Sequence, residues 1–273
     1  MTDFEATHDA AERIGSRIDT SRAHTARIWN YWLGGKDNYP VDAAAGEGIR
    51  QLHPGIGEYA RADRAFLGRA VRYLAGEVGI RQFLDIGTGL PTADNTHEVA
   101  QRVAPESRVV YVDNDPLVLA HARALLTSTP QGMTDYLDAD LRDVDHILHH
   151  AARTLDLSRP VALMLLGVVI FVEEDAEAYG VVRRLLDALA PGSHLVLSHT
   201  ITAPGMDDVD AAVAFWNENG TPRLTQRTPA AVERFFDGLR LLEPGVVSCA
   251  RWRVGAAEAG EPDVAMYGGV GRK

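Results

Sequence analysis

The sequence predicts an α/β fold, a doubly wound and mostly parallel seven-stranded sheet with an N-terminal helical cap. From about residue 80 onward, short apolar runs alternate with amphipathic stretches of helical spacing. Residues 161–166 contain no polar side chain, as is typical of a central parallel strand covered on both faces. The short connections between these elements favour the doubly wound sheet. Because no Ser/Gly linker divides the chain, we expect a single domain in which residues 1–75 form the cap and residues 76–273 form the core.

The individual elements follow from local signals. We predict strands at residues 81–87, 108–113, 134–139, 161–166, 193–201, 239–242 and 264–268. We predict helices at residues 25–33, 92–103, 143–152, 175–190 and 228–236, and one that begins at Pro116. Asp115 caps that helix because Pro116 suits a first helical turn. The helix at 175–190 has acidic residues at its start and ends at Pro191-Gly192.

Composition narrows the function classes. The chain has 273 residues, a formal net charge of −11 and a sequence pI of about 5.3. An acidic chain is poorly suited to bind nucleic acid through phosphate contacts. The longest apolar run, residues 161–172, is shorter than the roughly 18 residues of a membrane span. Cys249 is the only cysteine and the N-terminus lacks a secretory pattern, so we expect a cytoplasmic protein.

Polar residues and glycines are concentrated where predicted strands end. In doubly wound sheets, ligands bind beyond the carboxyl ends of the strands. The first strand is followed by Asp85, Gly87, Thr88 and Gly89. Two glycines allow the backbone to approach a ligand, although such turns also occur for structural reasons alone. Later strand ends carry Asp113-Asn114, Asp140-Leu141, Leu166-Gly167 and His199. The nine residues that we expect to bind the ligand are Asp85, Gly87, Thr88, Gly89, Asp113, Asn114, Asp140, Leu141 and Gly167.

Asp113 indicates a nucleoside ligand. It ends the second strand, 24 residues after Gly89, where a carboxylate accepts ribose hydroxyls. The alternative is a helix cap, but Asp115 beside Pro116 already fills that position. The third glycine of the dinucleotide motif is replaced by Thr92, and the triphosphate-binding motif is absent.

Asp85 distinguishes two classes of nucleoside cofactor. An acid beside the glycine turn repels a pyrophosphate but suits a cofactor that carries an ammonium and a sulfonium. S-adenosylmethionine has both charges and no phosphate. Asp140 then offers a carboxylate to the adenine amino group, and Leu141 offers an apolar cover for the ring. The alternative for Asp140 is one more solvated acid.

Three strings resemble the class I S-adenosylmethionine-dependent methyltransferases. They are FLDIGTG at 83–89, VYVD at 110–113 and LAPGSHLVL at 189–197. Pro91 stands where that superfamily often has a third glycine. The resemblance implies a Rossmann-like fold, S-adenosylmethionine as cofactor, and residues 76–273 as the core that binds it.

A narrower resemblance lies upstream. ARIWNYWLGGKDNY at 26–39 is similar to the signature of a bacterial family of S-adenosyl methyltransferases, over nearly the whole chain after residue 16. Usual members have Tyr-Asp-Tyr where this chain has residues 29–31. We expect this segment to cap the open end of the sheet and close the pocket; the alternative is that its aromatic residues belong to the core. The candidate cap residues are Tyr31, Gly35, Lys36 and Asn38.

Methyl transfer mainly requires that acceptor and methyl group are aligned in a dry pocket. A base assists if the acceptor is a hydroxyl or an amine. His199 is the first candidate and Tyr31 the second, and the alternative for His199 is a buried core histidine. We predict no metal site, because the histidines at 146, 149 and 150 have no matching acid or cysteine.

The sequence therefore predicts methyl transfer to an unidentified small molecule through oxygen or nitrogen. Residues 166–169, LGVV, lack the motif of methyltransferases that act on exocyclic amines of nucleic acids. We expect neither nucleic acid nor membrane as a partner, and the oligomeric state is left open. Two alternatives stay open, a non-catalytic sensor or scaffold that binds S-adenosylmethionine and an NAD-dependent oxidoreductase. Asp85 and the missing third glycine disfavour the latter.

Overall fold

The computed structural model describes residues 19–125, 127–255 and 260–273, so the predicted cap begins outside the described residues. The strands are β1 (Ala23–His24), β2 (Gln82–Ile86), β3 (Arg108–Asp113), β4 (Met133–Asp138), β5 (Ala162–Leu166), β6 (His194–Thr200), β7 (Gly220–Thr221), β8 (Arg240–Leu241), β9 (Val247–Ser248) and β10 (Met266–Arg272). The helices are α1 (Thr25–Trp32), α2 (Pro40–Leu52), α3 (Ile56–Tyr73), α4 (Thr96–Val103), α5 (Pro116–Leu125), α6 (Val144–Ala151), α7 (Asp175–Asp187), α8 (Asp207–Asn219) and α9 (Pro229–Glu233).

The main sheet confirms the predicted α/β class. Its strand order is β4-β3-β2-β5-β6-β10-β8, and β9 pairs with β10 as an eighth strand that the sequence did not indicate. Strands β2 to β6 are parallel to one another, whereas β10 runs antiparallel to β6, β8 and β9. A second, two-stranded sheet pairs β1 with β7. This pairing holds the loop after β7 beside α1.

Burial explains why the central strands are apolar throughout. Every residue of β2 and β6 is buried, and Leu163 and Leu165 of β5 have no exposed surface. One hydrophobic cluster joins these strands to the N-terminal helices and contains Ile28 and Ile49. The cap helices and the sheet therefore share one core.

Some boundaries differ from the sequence prediction for local reasons. The helix expected at 92–103 begins only at Thr96, because Asn95 caps it and its backbone N–H donates to Glu98 Oε2 at 2.9 Å. The last strand extends to Arg272 through a glycine-rich stretch. A Cβ on Gly268 would lie 2.7 Å from the Phe66 ring, so glycine is required there for close packing rather than for a turn.

A buried ion pair joins the first two helices. Arg27 on α1 lies 2.9 Å from Asp42 on α2, and their side chains are 3% and 0% exposed. The Asp42 carboxylate also accepts the backbone N–H groups of His24 and Tyr39, each at 2.9 Å. These bonds fix the start of α2 and orient α1 over the sheet. None of the helices in the described ranges is long and apolar enough to cross a membrane.

Candidate functional site

A cavity of about 380 Å³ lies at the carboxyl ends of β2, β3, β4 and β5, beneath α1. The structure brings all nine residues predicted to bind the cofactor to its wall. They are Asp85, Gly87, Thr88, Gly89, Asp113, Asn114, Asp140, Leu141 and Gly167. Parallel strands end at one edge of the sheet, so residues far apart in sequence meet there.

The turn after β2 requires its glycines. Gly87 and Gly89 have φ angles of 76° and 68°, in the left-handed region that other residues avoid. A Cβ on Gly87 would lie 2.4 Å from the Val168 Cβ, whereas a Cβ on Gly89 would meet nothing within 4 Å. Gly87 thus brings the loop after β5 against the turn, and the two together form the floor of the cavity.

Asp113 holds the glycine turn in place. Its Oδ2 accepts the Gly89 N–H and its Oδ1 accepts the Asp115 N–H, each at 2.9 Å. Burial raises the pKa of Asp113 above its ordinary value. A carboxylate has about four acceptor positions, so capacity is left for ribose hydroxyls. Asp115 caps α5, since its Oδ1 accepts the Leu117 N–H at 2.8 Å.

Three charged residues surround the inner end of the cavity. Asp85 is 4% exposed and accepts the Thr96 hydroxyl at 2.6 Å. Asp63, on α3, is 5% exposed, and burial raises the pKa of both carboxyls to about 6. Arg64, the next residue of α3, also lines the cavity. Sequence reasoning missed Asp63 and Arg64 because α3 carries no strand-end motif.

A signal for Asp63 exists in the sequence. It lies on the buried face of α3, in line with Tyr59 and Phe66. A charged residue on an otherwise apolar helix face is rare unless it has a partner or a function. Helical periodicity over residues 56–73 would therefore have identified Asp63 as a candidate.

Asp140 occupies the outer end of the cavity. Its carboxylate pairs with Arg142 at 3.2 Å and accepts a hydrogen bond from Asn114 Nδ2 at 3.4 Å. The carboxylate is 43% exposed, while Leu141 is buried. This end thus combines a solvated acceptor with an apolar surface.

The cap residues Gly35 and Asn38 do not line the cavity, which corrects their predicted placement. They support Asn30, which does line it. Asn30 Oδ1 accepts the Asp37 N–H at 2.9 Å and the Asn38 Nδ2 at 3.0 Å. A Cβ on Gly35 would lie 2.3 Å from Asn30 Nδ2, so a larger residue there would displace the Asn30 amide. The Gly-Gly-Lys-Asp-Asn turn therefore orients a cavity residue from behind.

Lys36 and Tyr31 also lie away from the cavity wall, contrary to prediction. Lys36 is exposed on the turn. The Tyr31 hydroxyl donates to Glu47 Oε2 at 3.1 Å, and the Arg50 guanidinium lies 5.2 Å from its ring centroid. The side chain of Tyr31 thus packs between α1 and α2, where it has no access to an acceptor.

The position of His199 contradicts its predicted role as a base. The ring has no exposed surface and does not line the cavity. Nδ1 lies 2.8 Å from the Thr200 carbonyl, and Nε2 accepts from Arg227 at 2.8 Å. Burial lowers the pKa of His199 to about 3. His199 is therefore a buried core histidine, the alternative that the sequence left open.

A second cavity of about 50 Å³ adjoins the first and shares Thr25 and Trp29 with it. Its wall is formed mainly by apolar side chains of α1, α2, α3 and α8, Trp32 and Trp216 among them. The Trp32 indole N–H donates to the Gly46 carbonyl at 3.1 Å, and that of Trp216 donates to the Pro222 carbonyl at 2.8 Å. Both rings consequently present carbon surfaces to this cavity.

Comparison with known proteins agrees with this geometry. The family model for S-adenosyl methyltransferases matches residues 11–273. A DUF574 family protein from Streptomyces avermitilis MA-4680 is 48% identical, with a TM-score of 0.91, over 94% of this chain and 100% of that chain. A protein of Thermobifida fusca YX, provisionally named a methyltransferase, is 42% identical, with a TM-score of 0.84, over 93% of this chain and 96% of that chain.

A more distant structure shares the fold alone. Magnesium protoporphyrin IX methyltransferase from Synechocystis PCC 6803 is 14% identical, with a TM-score of 0.51, over 89% of this chain and 91% of that chain. No curated protein matches the sequence. The family match extends over the strand-end cavity and the cap signature alike, and it favours methyl transfer over nicotinamide chemistry. The chain therefore belongs to the S-adenosyl methyltransferase family and depends on S-adenosylmethionine as its cofactor.

Proposed function

We propose that this methyltransferase acts on a small molecule, through an oxygen or nitrogen atom, bound beneath the N-terminal cap. The observation that supports this most strongly is that the strand ends and α1 line one and the same cavity. Its volume of about 380 Å³ is within the range of small-ligand sites. The cap lies over the strand ends, and the acidic chain offers little to a polyanion.

The residues of the cavity fit the chemical groups of S-adenosylmethionine. Asp113 would accept the ribose hydroxyls, and Asp140 with Leu141 would hold the adenine. At the inner end, Arg64 would bind the carboxylate and Asp85 the ammonium group. When bound, the cofactor supplies a methyl group activated by its positively charged sulfur.

The second cavity provides a place for an apolar part of the acceptor. Three of its polar side chains already have partners, since the Tyr59 hydroxyl lies 2.6 Å from Thr200 Oγ1 and His53 lies 2.6 Å from Asp208. A polar group placed there without a partner would lose its hydrogen bonds to water. We therefore infer an acceptor with an apolar end beside Trp29 and its nucleophilic atom in the main cavity.

The chemistry requires orientation more than proton transfer. Neither Tyr31 nor His199 lines the cavity, so neither is placed to take a proton from an acceptor. The chain's contribution is to align the acceptor and to exclude water. The apolar side chains of Trp29 and Leu33 in the cap segment line the cavity and favour the exclusion of water.

Two measurements test this function. Calorimetric titration should detect S-adenosylmethionine binding, and Asp113→Ala should weaken it at least tenfold, because each lost charged hydrogen bond costs about 1.5–3 kcal/mol. Incubation with methyl-labelled cofactor and cell extract should label a small-molecule fraction. Label recovered in nucleic acid or protein instead would refute the proposed acceptor class, and competition by NAD would revive the dinucleotide alternative.

A further inference from the structure

The charges at the rim of the main cavity compensate each other. Asp140 pairs with Arg142 at 3.2 Å, and Glu173 lies 3.7 Å from Arg223. These four side chains are between 42% and 61% exposed, so solvent also screens them. The rim therefore contributes little net charge to the interior.

The inner wall is different, because its charges do not balance. It is lined by the carboxylates of Asp63, Asp85 and Asp113 and by one guanidinium, that of Arg64. Within the described ranges, none of the three carboxylates forms an ion pair closer than 4.0 Å. The interior is thus an acidic site that favours a ligand with net positive charge.

Asp63 lies over the end of β5. It is hydrogen-bonded to Ser198 of β6, whose Oγ accepts the N–H of Gly167 at the end of β5 at 3.0 Å. On its other side is Asp85 of β2, whose pKa the charge of Asp63 raises further. Since β5 lies between β2 and β6 in the sheet, Asp63 extends the row of acids beyond Asp85.

The bonding order of the cofactor matches this row of acids. If adenine is bound at β4 and ribose at β3, the sulfonium follows toward β2 and β5, where Asp85 and Asp63 lie. The proposed function assigns Arg64 to the carboxylate and Asp85 to the ammonium group. The ribose, adenine, carboxylate and ammonium groups are thus bound by other residues, which leaves the sulfonium as the group of the cofactor that Asp63 faces.

We propose that Asp63 makes the site selective for the positively charged methyl donor over its neutral demethylated product. This inference rests on the proposed function. As the acceptor's oxygen or nitrogen forms its bond to the methyl carbon, the carbon–sulfur bond breaks, and the sulfur keeps the electron pair of that bond and loses its charge. The proton of the acceptor atom is released to solvent. The attraction to Asp63 disappears with that charge, so spent cofactor is released and replaced more readily.

Three probes at pH 7.5 test this selectivity by calorimetry, without any acceptor. They are S-adenosylmethionine, S-adenosylhomocysteine and sinefungin, in which a carbon bearing an ammonium group replaces the methylated sulfur. We expect the two ligands with the extra positive charge to bind about tenfold more tightly than S-adenosylhomocysteine, as Coulomb attraction in a partly solvated site predicts. In Asp63→Asn, this ratio should fall below about threefold, with the affinity for S-adenosylhomocysteine nearly unchanged.

Glu173→Gln is the matched control, because it removes a carboxylate from the rim of the same cavity. In Glu173→Gln, the ratio of the affinities for the charged ligands and for S-adenosylhomocysteine should equal that of the wild type. Equal affinities of the wild type for all three ligands would overturn the inference, even if Asp63→Asn failed to fold. The inference would also be overturned if Asp63→Asn lowered the affinity for all three ligands by the same factor, because Asp63 would then bind a group that the ligands share. If no ligand binds to the wild type, the proposed function itself fails.

Discussion

The strand ends and the N-terminal cap both contribute to the cavity, but they relate to the sequence in different ways. At the strand ends, all nine predicted cofactor residues line the wall. In the cap, none of the four predicted residues does, although their neighbours Trp29, Asn30 and Leu33 do. A parallel sheet fixes where its strand ends meet, whereas a helix or a turn places a residue according to its packing partners.

The largest loss of stability should come from breaking the buried ion pair between Arg27 and Asp42, which orients the cap. Asp42→Asn leaves the Arg27 guanidinium buried without its counter-charge, so we expect a loss of about 3–5 kcal/mol in the free energy of unfolding. Urea denaturation measures it. Glu47→Gln is the control, because its ion pair with Arg50 is exposed and should contribute about 0–1 kcal/mol. Similar losses in both variants would show that the buried pair does not hold the cap.

The strand-end region is tested by two glycines with the same backbone conformation. Gly87→Ala should destabilise the fold by about 3 kcal/mol and abolish cofactor binding, since a Cβ there meets Val168 at 2.4 Å. Gly89→Ala should cost only about 1–2 kcal/mol, because its Cβ meets nothing within 4 Å. Thermal melts and calorimetry compare the two. Equal losses would mean that the φ angle, and not the contact with Val168, requires glycine.

The sequence contained most of the fold because short apolar strands and helix caps are local signals. Strand β3 has the predicted bounds, and Asp115 caps α5 as expected. Helix α8 was not predicted, since its apolar residues Val209, Ala212 and Trp216 cover only a narrow face. Contacts between distant segments, such as Asn30 with its surrounding turn, have no such local signal.

His199 shows where the strand-end argument fails. Successive side chains of a strand point to opposite faces, so Ser198 and Thr200 reach the α3 side while His199 faces Arg227 and Phe235. A strand-end position predicts the edge of the sheet but not the face. Which side chains of β6 face Asp63 and Tyr59 could not be predicted from the sequence, because these contacts join segments that lie far apart in the chain.

His199→Ala should lower the free energy of unfolding by about 2 kcal/mol, because the buried Arg227 loses one of its acceptors. Cofactor affinity should remain as in the wild type, since the ring lies outside the cavity. Urea denaturation and calorimetry measure the two quantities. An intact fold with strongly reduced cofactor affinity would place His199 in the site after all.

The smallest effect is a pH dependence that contrasts the carboxylates with the histidines. Burial raises the pKa of Asp63 to about 6, so its contribution to stability is present at low pH and is lost as the pH rises through 6. The buried His194 and His199 act in the opposite sense, because their pKa values are lowered to about 4 and about 3 and stability falls when the pH drops below 6.5. Both histidines are also present in Asp63→Asn, so the difference between the two proteins cancels their titration and reports Asp63 together with its charge interaction with Asp85. Between pH 5.5 and 7.5 the free energy of unfolding of the wild type should decline by about 1 kcal/mol relative to Asp63→Asn, as urea denaturation without cofactor would measure. Parallel curves for the two proteins would mean that Asp63 titrates at its ordinary value, and that the inner wall of the cavity is better solvated than its burial indicates.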